Sequence, residues 1–259
     1  MSILKLKDRV ESYQNSTDIK LLNKLPVIIL INGRGFTKAT ELLEKPHCYK
    51  FSECMLATAL KLCAEIEGAV YAYQFNDEIV IVSCNDQSIE TTPWFDNKLQ
   101  KICSVTASMA TLYFNIYLKK YDINIVGEPT FTSNVFVVPN IAEAINSIIY
   151  KQQQNFYISI QMACFYELLR FNNKNTIKDM LLGLNIDEKI ALLKQECNID
   201  FNNYPPLFRR GGSCYRSPKV MPDGTMKNKW VINTDLPIFT KDSHLNNIFK
   251  MGHDIFRNY

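Results

Sequence analysis

The chain has 259 residues, 47% of them apolar and 21% charged, with a formal net charge of +3 and eight cysteines. That length suits one large domain or one and a half, and the composition is globular rather than disordered or fibrous. The mild positive charge permits a polyanionic partner without arguing for one. No run of 18 apolar residues offers a membrane span, and the cysteines have no CxxC or other zinc-like spacing, so a reduced, intracellular and by default cytoplasmic setting is expected.

The N-terminal stretch MSILKLKDRVESYQN carries acidic residues and no apolar core, so no secretory or transit signal is read in it. Next comes VIILI at 27–31, a continuous apolar run expected of a strand covered on both faces. It runs straight into Asn32-Gly33-Arg34-Gly35, closed by Phe36. Backbone amides in such a Gly-x-Gly turn can reach a phosphate. A site of that kind usually carries a carboxylate for the accompanying metal, and here the side chain is the amide of Asn32. Phe51, Met55, Ala59, Leu62 and Ile66 then follow helical spacing, and Gly68 ends that helix. AVYAYQF and IVIVSC are two β-rich runs around Asn76-Asp77-Glu78, which predicts a tight hairpin. A long helix is expected over about 97–120, with Leu99, Ile102, Met109, Leu112 and Tyr113 on one side. TFTSNVFVVP supplies a fourth strand, and a second long helix is expected over about 141–170.

The order β-α-β-β-α-β predicts an α/β (α+β) fold of the ferredoxin-like, split βαβ kind. That fold hosts many functions, so order alone decides little. Residues 1–170 are expected to form this core. The remainder, 171–259, is richer in Asn, Pro and Gly, with a short helical stretch DEKIALLKQEC and the basic FRRGGSCYR, and is expected to pack on the core as a helical and β-hairpin appendage. The first and third elements of the β-α-β-β unit are expected to be adjacent central strands. That brings Asn32 and the Gly33 carbonyl within reach of Asp77 and Glu78. Hard cations take such oxygen ligands together with substrate phosphates, and two of them can clamp the attacking and leaving oxygens of a nucleotidyl transfer. Taken singly, an Asp in a hairpin turn is most often structural, and a lone Gly-x-Gly turn is a weak signal.

Together they carry more weight. INGRGFTKAT, EKP, AYQFNDEIVIV, KLQKICSVTASMAT, FNNYPPLFRRG and WVINTDLPIFTKD occur in the order of the tRNA-His guanylyltransferase-like family, which this chain resembles from about Leu25 to Asp242. The resemblance implies a polymerase palm-like core that extends RNA in the reverse, 3′-to-5′ direction. It implies two Mg²⁺ ions, ATP and GTP or other nucleoside triphosphates as substrates, and a homotetramer. The RNA 5′ end is activated with a nucleotide, and the 3′-hydroxyl of an incoming triphosphate attacks the activated phosphate. Both steps rest on positioning and charge neutralisation. By matching positions, the metal ligands fall on Asn32, the Gly33 carbonyl and Asp77, with Glu78 the acidic residue beside them. Lys45 matches a lysine linked to activation. The nucleotide-binding positions fall on Gly33, Arg34, Gly35, Phe36, Thr37, Asn76, Lys98, Lys101 and Ser108, with Lys98 and Lys101 one helical turn apart. Lys151 and Gln152 match a basic-Gln pair and are implied to touch RNA.

Four departures stand out. An amide at Asn32 keeps an oxygen but lacks a full negative charge beside a divalent cation, a difference of several kcal/mol before screening. An introduced inactivating change, a naturally inactive relative and a site compensated by Glu78 all remain open. Phe156-Tyr157-Ile158-Ser159 stand where tRNA-His specialists carry His-Ile-Asn-Asn. That points to the branch that repairs 5′-truncated tRNAs against the opposite strand. Asn76 and Lys98 replace the usual serine and arginine, the latter exchanging a bidentate grip for a point charge. In RRGGSCYR, Arg209, Arg210 and Arg216 could hold RNA phosphates with Tyr215 available for stacking, or could be a solvated hairpin edge. The three histidines form no cluster and receive no role. Two other readings stay open: a catalytically inactive tRNA- or nucleotide-binding relative, and a palm-type nucleotide cyclase, against which FNNYPPLFRRG and DLPIFTKD argue.

Overall fold

A computed structural model describes residues 3–86, 90–220 and 224–257. In chain order the elements are α1 (Ile3–Asn15), β1 (Val27–Arg34), α2 (Phe36–Ala39), α3 (Tyr49–Glu65), β2 (Ala69–Phe75), β3 (Glu78–Ser83), α4 (Leu99–Lys120) and β4 (Thr130–Val137). There follow α5 (Ile141–Leu168), α6 (Lys174–Leu181), α7 (Ile186–Cys197), α8 (Pro206–Arg210), β5 (Gly212–Val220), β6 (Met226–Asn233) and α9 (His244–Arg257).

The strands form one six-stranded sheet in the order β4-β1-β3-β2-β5-β6. Its first four strands reproduce the expected ferredoxin-like core. The neighbour of β1 is β3, the second arm of the hairpin, rather than the first arm; Asn32 lies opposite Glu78 on one side and Thr132 on the other. β5 and β6 add to the free edge of β2, so the C-terminal segment shares the core's sheet as well as packing on it.

Residues alternate across β1, and both faces are covered, as its unbroken apolar run requires. Val27, Ile29 and Ile31 pack with Met55, Ile81 and Phe114 under α3 and α4. Ile28 packs on the other face with Tyr71, Tyr73, Val80 and Val82 under Ile148 of α5, Leu236, Phe239 and Ile248 of α9. Each large side chain taken wholly out of water in this way contributes about 1.5–3 kcal/mol. A third cluster joins the second half of α5 to α6, α7, Phe201 and Phe208. Helix starts follow local chemistry: the Asn140 side chain accepts from Glu143 N at the head of α5, and Asn185 with Glu188 closes a capping box on α7.

The sequence reading missed α1, whose Leu6, Val10 and Tyr13 remain exposed in this chain. All eight cysteines are free. Among the described residues no helix is long and apolar enough to cross a membrane.

Candidate active site

β1 ends where Gly33 N donates to Asp77 O at 2.9 Å, which ties the Gly-x-Gly turn to the β2–β3 hairpin. That hairpin is held from three sides. Asn76 takes φ +47°, a left-handed conformation that Asn tolerates. Gln74 Nε2 donates to Asn76 O at 2.7 Å, and Asn76 Nδ2 donates to Met162 Sδ of α5 at 3.5 Å. Asp77 then folds over β1. A Cβ at residue 33 would lie 2.6 Å from Asp77 Oδ2 and overlap the Phe36 ring, so only glycine lets the carboxylate settle there.

Burial raises the Asp77 pKa above the usual carboxylate range, and the neighbouring Glu78 charge adds to the rise. Such a raised acid costs stability once it ionises. Asp77→Asn is therefore expected to raise Tm in EDTA at pH 7.5 by a few degrees. The sign follows from linkage: the advantage is full above the raised folded pKa and is gone only well below the unfolded value of 3.8, where Asp77 is protonated in both states. Calorimetry at the two pH values checks it.

Asn32 sits on the same sheet face as its register partner Glu78. Its backbone oxygen accepts from Thr132 Oγ1 at 3.3 Å, while its side-chain amide makes no hydrogen bond among the described residues. Glu78 Oε2 accepts from Lys151 Nζ at 2.8 Å, whereas Glu78 Oε1 is buried with no donor. The sheet end therefore gathers oxygen donors: the Asp77 carboxylate, the Asn32 amide, the Gly33 backbone and one bare oxygen of Glu78. They suit a hard cation that keeps waters and substrate phosphates in its shell. No group of three or more His, Cys, Asp or Glu comes together among the described residues.

Beside Asp77 opens a cleft of about 230 Å³. Thr37, Lys45 and Asn76 line it, as does His47, and Met162 and Tyr166 reach it from one face of α5. Lys45 Nζ stands 3.4 Å from Thr40 Oγ1 and 5.4 Å from the centre of the Tyr166 ring. Burial lowers its pKa. His47, to which the sequence reading gave no role, packs on Phe208 at 5.2 Å and leaves Nε2 buried without a partner. Burial also lowers its pKa, against the pull of Glu44, so the imidazole is neutral at pH 7. Its place two residues after Lys45 was the available signal. The i, i+4 pair Met162 and Tyr166 carried no chemical signature and could not have been found.

The other expected residues scatter. Phe36 is core, in ring contact with Phe51, Phe114 and Phe131, and borders the cleft. Arg34 and Gly35 are exposed at the strand end. Lys98 pairs with Asp18 at 3.0 Å, and Lys101 lies 4.5 Å over Phe95; both line a separate shallow recess rather than the Asp77 cleft. Ser108 is exposed on α4 and donates to Ser104 O at 2.8 Å.

Gln152 corrects the expectation of an RNA contact. It is 5% exposed. Its Nε2 donates to Pro237 O at 3.0 Å and Arg210 O at 3.4 Å, and its Oε1 accepts from Phe239 N at 2.9 Å. Every polar atom is used to tie α5 to the C-terminal segment. Gln152→Ala is expected to cost about 2–4 kcal/mol, since it leaves buried backbone groups unsatisfied; denaturant melts read this directly. Lys151 is spent on Glu78, as above.

Arg209 Nε donates to Tyr204 O at 2.8 Å, and Arg210 lies 3.5 Å from Asp235. Arg216 stacks over Trp230 at 5.3 Å. Beyond Tyr215, β5 and β6 leave the edge of β2 and continue as a two-stranded ribbon. There Lys219 lies directly opposite Lys227, with Lys229 nearby and all three exposed. Opposed like charges on a ribbon destabilise it unless an anion lies across them. The sequence reading missed these lysines because they fall in no motif.

Comparison with known proteins agrees with this fold. The family model described as tRNAHis guanylyltransferase matches residues 7–139, about half of the chain. A probable tRNA(His) guanylyltransferase of Dictyostelium discoideum is 27% identical over 207 residues, 76% of this chain and 78% of the relative. The tRNA(His) guanylyltransferase of Neurospora crassa is 23% identical over 217 residues, 80% of this chain and 72% of the relative. Among solved structures, a bacterial tRNA(His) guanylyltransferase (Thg1)-like protein in complex with ATP superposes with a TM-score of 0.80 at 30% identity, covering 94% of this chain and 98% of that one. The Saccharomyces cerevisiae enzyme shares the fold, with a TM-score of 0.70 at 19% identity over 84% of this chain and 94% of that one. The chain is a member of the tRNAHis guanylyltransferase family.

Proposed function

We propose that this chain is a nucleotidyltransferase that adds nucleotides in the 3′-to-5′ direction to the 5′ end of tRNA, repairing truncated ends against the opposite strand. The observation that carries the reading is the Asp77 carboxylate, folded onto Gly33 at the mouth of a cleft walled by Lys45 and Thr37. A bound Mg²⁺ pair would supply neutralisation of phosphate charge there, held by Asp77, Asn32 and the Gly33 carbonyl. With the Gly33 amide taken by Asp77 O, the turn from Gly35 to Thr37 would present its backbone amides to a triphosphate. Lys45, with its pKa lowered by burial, holds charge close to the activated phosphate without a competing carboxylate ion pair. Lys98 and Lys101 would leave Asp18 and Phe95 to meet a second triphosphate. Arg216 and the lysine ribbon supply a sequence-independent grip on RNA phosphates. The exposed apolar side chains of α1, with Leu112 and Ile116 of α4, offer the surface that a tetramer would cover.

A second reading is favoured by one residue: Asn32 weakens the cation site, and an inactive member would bind tRNA and nucleotide without adding anything. The experiment uses a tRNA lacking its first nucleotide, labelled at its 5′ monophosphate, with Mg²⁺, ATP and nucleoside triphosphates. Slow extension by the template-complementary nucleotide, lost in Asp77→Ala, supports the polymerase. Binding of tRNA without extension by either the native chain or Asn32→Asp selects the inactive reading. A cyclic nucleotide formed without RNA rejects both.

A further inference from the structure

We infer that Glu78 is a cation ligand in this chain, supplying through its bare oxygen the charge that Asn32 lacks. The inference rests on the cation site proposed above and assigns one more residue to it. Asn32 and Glu78 are register partners on adjacent central strands, so their side chains emerge side by side from the same sheet face.

The two Glu78 oxygens have unlike surroundings. Oε2 is fixed by Lys151 at 2.8 Å, which sets the direction of the whole carboxylate. Oε1 is buried and has no donor. A buried carboxylate oxygen left bare is costly, and native proteins rarely retain one without a partner. The side chain next to it, Asn32, makes no hydrogen bond among the described residues and so does not supply the missing donor.

Charge makes the same point. Asp77 and Glu78 carry two negative charges and Lys151 one positive, leaving the sheet end at minus one. Without Glu78 no carboxylate would stand beside the neutral Asn32 side chain on that face, and a divalent cation would gain little by entering there. With an aspartate at position 32 the site would keep two carboxylates whether or not Glu78 took part. Glu78 therefore matters most when residue 32 is neutral, as it is here. Lys151 acts as a positioning residue: it occupies Oε2 and leaves Oε1 available.

The test is a double-mutant cycle read by Mn²⁺ binding, measured by electron paramagnetic resonance on the native chain, Glu78→Gln, Asn32→Asp and the double variant. In the native background Glu78→Gln is expected to weaken Mn²⁺ at least about 10-fold, and in the Asn32→Asp background by less than about 3-fold. Equal effects in both backgrounds, or no effect in the native one, overturn the assignment of Glu78. If Asn32→Asp still tightens Mn²⁺ in that case, the cation site itself stands. If Mn²⁺ binds none of the four proteins, the cation site and the Glu78 assignment fall together. Gln matches Glu in shape, and circular dichroism melts of all four proteins separate lost folding from lost affinity.

Discussion

Asn32→Asp is expected to raise the rate of nucleotide addition by about 100-fold or more. Two unit charges about 4 Å apart interact by roughly 4 kcal/mol at the effective dielectric of a partly buried site. Even after screening by Lys151, roughly 3 kcal/mol of extra stabilisation of a phosphoryl transition state corresponds to about two orders of magnitude. The backbone at residue 32 is held between β3 and β4, and the side chain has no hydrogen bond to lose, so the substitution changes charge with little change in shape. The measurement is single-turnover extension of a 5′-truncated tRNA at saturating protein, which separates chemistry from binding. An increase confined to tRNA affinity, with the chemical step unmoved, would mean that residue 32 does not face the reacting phosphates.

Gly33→Ala is expected to abolish addition while only moderately lowering stability. The new methyl group would meet the Phe36 ring and come within 2.6 Å of Asp77 Oδ2. Strand pairing on both sides holds residue 33, so the neighbours must move. Phe36 is itself wedged among Phe51, Phe114 and Phe131, which leaves the Asp77 carboxylate as the freer of the two. Overpacking of this kind costs about 1–3 kcal/mol, or roughly 2–12 °C in Tm for a chain of this size. A displacement of about 1 Å at a reacting centre costs about 100-fold or more in rate. Tm, tRNA binding and extension, measured together, should show small, negligible and large changes respectively. Full activity would show that Asp77 does not need its place against Gly33.

Much of this was legible in the residue order. The unbroken VIILI run announced a central strand, and Asn76-Asp77 announced the hairpin that brings the carboxylate to it, because both signals are local and depend on few neighbours. The side chains that complete the cleft were not. Met162 and Tyr166 lie more than eighty residues downstream of Asp77, and nothing in their spacing distinguishes a cleft wall from a core face. Gln152 stands in a run of three glutamines, whose polarity gives no sign of burial. It is buried because Pro237 and Phe239 arrive over it from the far end of the chain. Lys98 caps and Lys101 opens the long helix as its sequence suggests, yet their partners Asp18, in a loop, and Phe95, in a short 3-10 turn, lie on a path no periodicity reveals.

Gln152 also bears on how the molecule can be divided. One amide side chain fastens Arg210, Pro237 and Phe239 to α5, and the strip of sheet beneath is roofed by Leu236, Leu245, Ile248 and Phe249. A fragment cut after residue 170 would expose the fully buried faces of Tyr71 and Tyr73 to water and leave β2 with a naked edge. The lysine ribbon and the hairpin that carries Asp77 are therefore a single mechanical object. Force applied at the lysine ribbon is borne by the same hydrogen-bonded strands that hold the carboxylate in place.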